Sequence, residues 1–137
     1  MQHGGPTSEA AQLTQFVTLW LNENVDRLIE WRRHLHRNPE LSHMEDGTTA
    51  FIMDILRDAG LTPQEMTCKG ATVDIGPDTA PMIAFRGDID ALPVTETTGL
   101  DFSSTVPGVM HACGHDMHTP ILLGLMVALA AYVEEYG

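Results

Sequence analysis

The sequence of 137 residues predicts an α/β domain. Three observations carry that expectation: two stretches with the apolar spacing of helices come first, two short β-compatible runs follow, and a long apolar run closes the chain. The length suits a single domain with a core of its own. Apolar residues make up 43% and charged residues 19%, which is the composition of folded material and not of a disordered chain.

Residues 1–12 read as a disordered lead-in, with Gly4-Gly5-Pro6 and no periodicity, and residues 13–137 as the domain. From Leu13 the positions Leu13, Phe16, Val17, Trp20 and Leu21 share one helical face. Val25, Leu28, Ile29, Arg32 and Leu35 continue it beyond a break expected at Asn22–Asn24. Asn38-Pro39 stops the helix, because the residue before proline avoids the α region. In the second helix Ser42 and Glu45 form a capping-box pattern, Phe51, Ile52, Ile55, Leu56 and Ala59 make the apolar face, and Gly60 stands where a C-terminal cap belongs, with Pro63 beyond it. Ala71–Ile75 and Met82–Phe85 then read as two strands joined by a turn at Gly76-Pro77-Asp78. Residues 93–110 are rich in Thr, Ser, Gly and Pro and suit a surface loop. Thr119-Pro120 resembles an N-cap followed by proline at the first helical position, opening a helix that runs to about Tyr132.

Seven Lys and Arg face 19 Asp and Glu, a net charge of −12. Such a field repels phosphate backbones and anionic lipids while concentrating cations, so neither nucleic acid nor a membrane surface is an expected partner. The apolar run Ile121–Val133 falls short of the ~20 residues that cross a bilayer and reads as a buried helix. Two cysteines, Cys68 and Cys113, are too few for a disulfide scaffold, and Met1–Ala11 lacks the basic and apolar segments of a signal peptide. A cytoplasmic location is the corresponding expectation.

Two segments ask for more than packing. Arg86-Gly87-Asp88-Ile89-Asp90-Ala91-Leu92-Pro93 puts two carboxylates two positions apart after a hydrophobic run, at the end of a strand where open α/β sheets bind ligands. Met110-His111-Ala112-Cys113-Gly114-His115-Asp116-Met117-His118 gathers three histidines and a cysteine. Borderline divalent metals such as zinc take imidazole nitrogen and thiolate sulfur, and the glycine between Cys113 and His115 lets both side chains turn to one ion. A nearby carboxylate can hold a ligating imidazole in the right tautomer; Asp88, Asp90 and Asp116 are the candidates. The spacing yields two ligands, Cys113 and His115, where a catalytic zinc takes three and a water, so the sequence holds part of a site.

Plainer readings apply elsewhere. His34, His36 and His43 suit solvated or capping roles, Cys68 is inert, and Asp74, Asp78 and Glu134-Glu135 are surface charge. Competing readings of the two segments are a buried or redox-sensing Cys113, an aspartate-nucleophile phosphatase built on Asp88-Ile89-Asp90, and a non-catalytic truncated fragment or interaction module that pairs through open sheet edges as a homo-oligomer. The phosphatase pattern wants Thr or Val where Leu92 stands.

Three stretches together are similar to the amidohydrolase branch of the aminoacylase/carboxypeptidase metallopeptidase family, which includes hippurate hydrolases, N-acyl-amino-acid hydrolases and plant auxin-conjugate hydrolases. They are Trp31-Arg32-Arg33-His34-Leu35-His36-Arg37-Asn38-Pro39-Glu40-Leu41-Ser42, then Phe85-Arg86-Gly87-Asp88-Ile89-Asp90-Ala91-Leu92-Pro93, then Pro107-Gly108-Val109-Met110-His111-Ala112-Cys113-Gly114-His115-Asp116-Met117-His118-Thr119. The resemblance implies the N-terminal portion of a zinc-exopeptidase-type catalytic domain, helices packed on a partial mixed sheet, with the lid or dimerisation domain and the C-terminal part lying outside these residues. It implies two divalent metal ions, zinc or manganese, with Cys113 as bridging ligand, His115 as terminal ligand and Asp90 supporting the site from behind. Asp88 stands where related peptidases carry a ligating histidine. Gly87 and Met117 depart from the commoner alanine and glycine without removing a ligand. The implied reaction is hydrolysis of the amide bond of small N-acyl amino acids by the intact enzyme. The family's general-base glutamate, a glutamate ligand and two histidines lie beyond the Cys-Gly-His motif, past Gly137, so this chain alone is expected to be inactive.

Overall fold

The structure, a computed structural model, describes residues 8–77 and 79–137. Three helices, α1 (Ser8–Arg37), α2 (Asp46–Asp58) and α3 (His115–Tyr136), enclose the core, and two short strands, β1 (Gln64–Glu65) and β2 (Ala71–Thr72), form an antiparallel hairpin beside α2. The expected lead-in is shorter than its 12 residues, because Ser8 to Gln12 already belong to α1; Met1–Thr7 lie outside the described residues, as does Asp78.

The expected break at Asn22–Asn24 does not occur. Asn24 turns its Nδ2 back onto the Trp20 carbonyl at 2.9 Å, so its side chain stays on its own helix and α1 runs unbroken for 30 residues. At its end the Asn38 amide reaches the His34 and Leu35 carbonyls before Pro39 turns the chain.

The N-terminus of α2 is capped differently from the Ser42–Glu45 box. Glu45 is the cap residue and its side chain makes no cap bond. Glu40 takes that place: its two carboxylate oxygens accept from the Gly47 amide (3.0 Å) and the Thr48 amide (2.6 Å), putting a negative charge against the positive end of the helix. The other end closes as the sequence implies. Gly60, at φ +77°, lets its amide bond Arg57 O while the Leu61 amide bonds Leu56 O, a paired closure that needs a left-handed residue.

The strands differ most from expectation. Of Ala71–Ile75 only Ala71–Thr72 pairs, and its partner is Gln64–Glu65 across the turn at Lys69 and Gly70, both left-handed. Met82–Phe85 pairs with nothing among the described residues and is exposed, Ile83 at 82%. A β-compatible run becomes a strand only where a neighbour supplies the ladder. Two isolated bridges do the remaining work: Leu41 with Ala91 in parallel and Leu92 with Met110 antiparallel. They fasten the Asp88–Asp90 segment and the Met110–Cys113 loop to the end of α1.

Helix α3 begins a turn before Thr119, at His115, behind Gly114 at φ +90°. Pro120 therefore lies inside the helix, where it leaves the Asp116 carbonyl without its usual amide donor. Trp31, Ile52, Ile55, Leu56, Leu123 and Val127 form the shared core of the three helices. Gly124 of α3 lies close against α1: a methyl group there would meet Leu28 Cδ2 at 2.8 Å. At 22 residues α3 is long and apolar enough to cross a bilayer by length and composition alone, beyond what Ile121–Val133 suggests; in this fold it packs on both other helices.

Candidate metal centre

Gly114 turns the chain from loop into helix, so Cys113 is the penultimate loop residue and His115 the first residue of α3. That turn needs a left-handed residue, which glycine adopts without steric cost. Across from it, the Ala91 amide is bonded to Glu40 O at 2.7 Å and fixes the segment that carries Asp90.

His115 Nδ1 lies 2.9 Å from Asp90 Oδ1 and 2.9 Å from the Asp90 carbonyl oxygen. Both are acceptors, so Nδ1 carries the proton and donates, and Nε2 keeps its lone pair. The His115 side chain is largely enclosed, at 14% exposure, while Asp90 is 30% exposed. Cys113 is a free, exposed thiol. His118, also exposed, stands with its ring 5.3 Å from that of His115. Among the described residues no group of three or more His, Cys, Asp and Glu side chains is gathered as a metal-binding set.

The other two candidate carboxylates face elsewhere. Asp88 accepts from Arg86 through Nε at 3.0 Å and Nη2 at 2.8 Å, and its carbonyl receives the Thr119 hydroxyl at 3.3 Å. Asp116, 1% exposed, turns toward α1, where its Oδ2 accepts from Arg32 Nε and from His36 Nδ1, each at 2.8 Å. His36 is thus not solvated, as its helical position suggested, but 3% exposed, and its Nε2 meets Glu96 Oε1 at 3.1 Å. Glu96 also accepts from the Ser104 amide at 2.6 Å and from the Thr98 hydroxyl. Burial by itself would raise the Glu96 carboxyl, but the Ser104 amide, the Thr98 hydroxyl and His36 together bring it down to about 2.

His111 is the reverse case. It is 5% exposed and neither ring nitrogen has a hydrogen-bond partner among the described residues. Burial pushes its pKa below the usual histidine value, against the smaller opposing pull of Asp116.

The structure brings Asp90 and His115 into contact and leaves Cys113 exposed, and sequence reasoning misses Arg32, His36 and Glu96. The i, i+4 spacing of Arg32 and His36 on α1 is a usable signal, since it puts two nitrogen donors on one helix face. Nothing in the Thr-rich loop marks Glu96 as their partner.

The sequence pattern of peptidase family M20/M25/M40 matches residues 84–137, which hold the Asp90 segment, the Cys113–His115 loop and α3. N-acetyl-L-cysteine deacetylase of Bacillus subtilis is 52% identical over 100 residues, covering 72% of this chain and 24% of that protein. A Rhodococcus jostii protein named as a glutamate–cysteine ligase is 49% identical over 125 residues, 90% of this chain but 16% of its own length. The crystal structure of the Bacillus subtilis YXEP protein, described as a dinuclear metal-binding peptidase of the M20 family, superposes with a TM-score of 0.74 at 40% identity, covering 87% of this chain and 32% of that one. The chain spans a quarter or less of the length of these two curated relatives. Residues 84–137 thus carry the pattern of peptidase family M20/M25/M40, and the chain is similar in sequence and in fold to hydrolases of that kind.

Proposed function

We propose that this chain supplies part of a dimetal centre, zinc or manganese, for hydrolysis of the amide bond of N-acyl amino acids. The observation that carries the reading is the His115–Asp90 contact. A carboxylate and a carbonyl both claim Nδ1, so the imidazole is held in the one tautomer that offers Nε2 to a metal. Cys113, exposed across Gly114, adds a sulfur donor, and the pair of nitrogen and sulfur fits a borderline divalent ion. Divalent metals bound in such a centre supply Lewis acidity, lowering the pKa of a bound water and polarising an amide carbonyl. Asp90 keeps the His115 ring from rotating, so the donor stays aimed. The similarity to a protein named N-acetyl-L-cysteine deacetylase supports this substrate class.

Glu134 and Glu135 do not suit the general-base role. Both are exposed in the last turn of α3, roughly 28 Å along the helix from His115 at a rise of about 1.5 Å per residue. Neither glutamate takes that role in this reading, and a reducing, cytoplasmic setting would keep Cys113 available as a ligand.

Isothermal titration with zinc and with manganese tests the reading. The expected result is a binding heat that disappears in both Cys113→Ser and His115→Ala. A chain that gives no heat with either metal, or the same heat in both variants, refutes it.

A further inference from the structure

Two consecutive residues at the start of α3 serve opposite sides of the molecule. Residues adjacent on a helix point about 100° apart, so when His115 faces Asp90 the side chain of Asp116 must face another element. That element is α1, and the contact there is unusually complete. Asp116 Oδ2 is shared by Arg32 Nε and His36 Nδ1 at 2.8 Å each, and His36 passes on through Nε2 to Glu96 at 3.1 Å. Both ring nitrogens of His36 thus face carboxylate oxygens, and both bonds are made only when both nitrogens carry protons. Glu96 in turn is gripped by the Ser104 amide and the Thr98 hydroxyl, which anchor the far end of the chain of bonds in the loop after Leu92. The His36, Glu96 and Asp116 side chains are each 4% exposed or less. On the opposite side Thr119 Oγ1 reaches both the His115 and Asp88 carbonyls. The first turn of α3 is clamped between these two sets of contacts.

We propose that Glu96 and His36 are positioning residues for His115: the relay Glu96–His36–Asp116 sets the rotation of the first turn of α3 and with it the aim of the His115 ring. The role as a metal-ligand aim rests on the function proposed above; the mechanical coupling does not. A purely structural relay would lower stability without changing the His115 ring, whereas a positioning relay changes the ring first.

The experiment compares the wild-type chain with Glu96→Gln, with the milder Thr98→Val, and with Ile55→Val as a core variant that leaves the relay alone. Two quantities are read: solvent exchange of the His115 Nδ1–H by nitrogen-edited NMR without metal, and cobalt(II) affinity by titration. Expected are exchange about tenfold faster and cobalt binding about tenfold weaker in Glu96→Gln, the range seen when groups behind a metal ligand are altered. Thr98→Val should show the same changes in smaller degree and Ile55→Val neither. Unchanged His115 exchange in both relay variants, with or without a fall in melting temperature, overturns the inference. Faster exchange in Glu96→Gln in a chain that takes up no cobalt upholds the inference and removes the proposed function instead.

Discussion

Asp116→Ala is the substitution that weighs the buried ion pairs most directly. It removes an acceptor 1% exposed to solvent and leaves Arg32 and His36 facing an empty space. A hydrogen bond to a charged group contributes about 1.5–3 kcal/mol. The two shares differ. The Arg32 side chain is 29% exposed, so its guanidinium can turn to water and its share falls at the low end. His36, at 4%, has no such escape, and its Nδ1 loses its acceptor in the interior. Breaking a buried pair from one side costs about 3–5 kcal/mol in all, a large part of the ~5–15 kcal/mol that holds a domain folded. For a chain of this length that corresponds to a fall in melting temperature of roughly 12–20 °C. Asp116→Asn keeps the shape and one carbonyl acceptor and should lose about half as much. Urea and thermal unfolding followed by circular dichroism measure both. An Asp116→Ala chain within about 1 kcal/mol of wild type would refute the account of these contacts as a buried, mutually dependent set.

Three other outcomes follow from the same structure. Asp90→Asn should weaken zinc or manganese binding about 10–100-fold in calorimetry while leaving the melting temperature close to wild type, because an amide is a poorer acceptor for the His115 Nδ1–H and can present its NH₂ instead. Glu40→Ala frees the Gly47 and Thr48 amides and should cost about 0.5–2 kcal/mol in urea unfolding, the scale of a lost helix cap. Glu96 titrates near 2 in the fold against an ordinary 4.5, so its stabilising effect is complete above pH 4.5 and disappears as the pH falls toward 2. Glu96→Gln should accordingly be less stable than wild type at neutral pH, and the two unfolding curves should converge between pH 4.5 and pH 2.

What the sequence reveals and what it hides divide along physical lines. The period of 3.6 exposes α2 because it buries one face against the core. On α1 burial is confined to Trp31, Leu35 and His36, while Leu21, Val25 and Ile29 of the expected face stay exposed. Gly60 is legible because only a left-handed residue closes that helix end. Met82–Phe85 misleads because side-chain type reports β compatibility, while a ladder depends on a partner that local sequence does not name. The α2 cap is missed for a similar reason. Ser42 and Glu45 have the right spacing, yet Glu40 reaches the same amides from outside the helix, and spacing rules see only residues within reach along the chain. His115 and Asp90 stand out in the sequence because their chemistry is concentrated in short segments, and the structure joins the two by a hydrogen bond.

The case of Asp116 shows how one misplaced boundary changes a site. With the helix opened at Thr119-Pro120, residues 115–118 are loop, and a loop imposes no rule on which way neighbouring side chains point. Asp88, Asp90 and Asp116 are then equal candidates for holding the imidazole. Opening the helix at His115 removes that equality, since consecutive helical residues diverge by about 100° and Asp116 cannot share a target with His115. Asp88 is spent on Arg86. Asp90 is what remains, and it approaches from a separate segment fixed by the Ala91–Glu40 bond, so its direction is independent of the helix. The proline that misplaces the boundary deletes the bond that would end at the carbonyl of Asp116, the residue whose side chain is held from α1 by Arg32 and His36. Contacts from α1 thus secure a turn that the backbone ladder leaves one bond short, and the first residue of that turn is the imidazole proposed as a metal ligand.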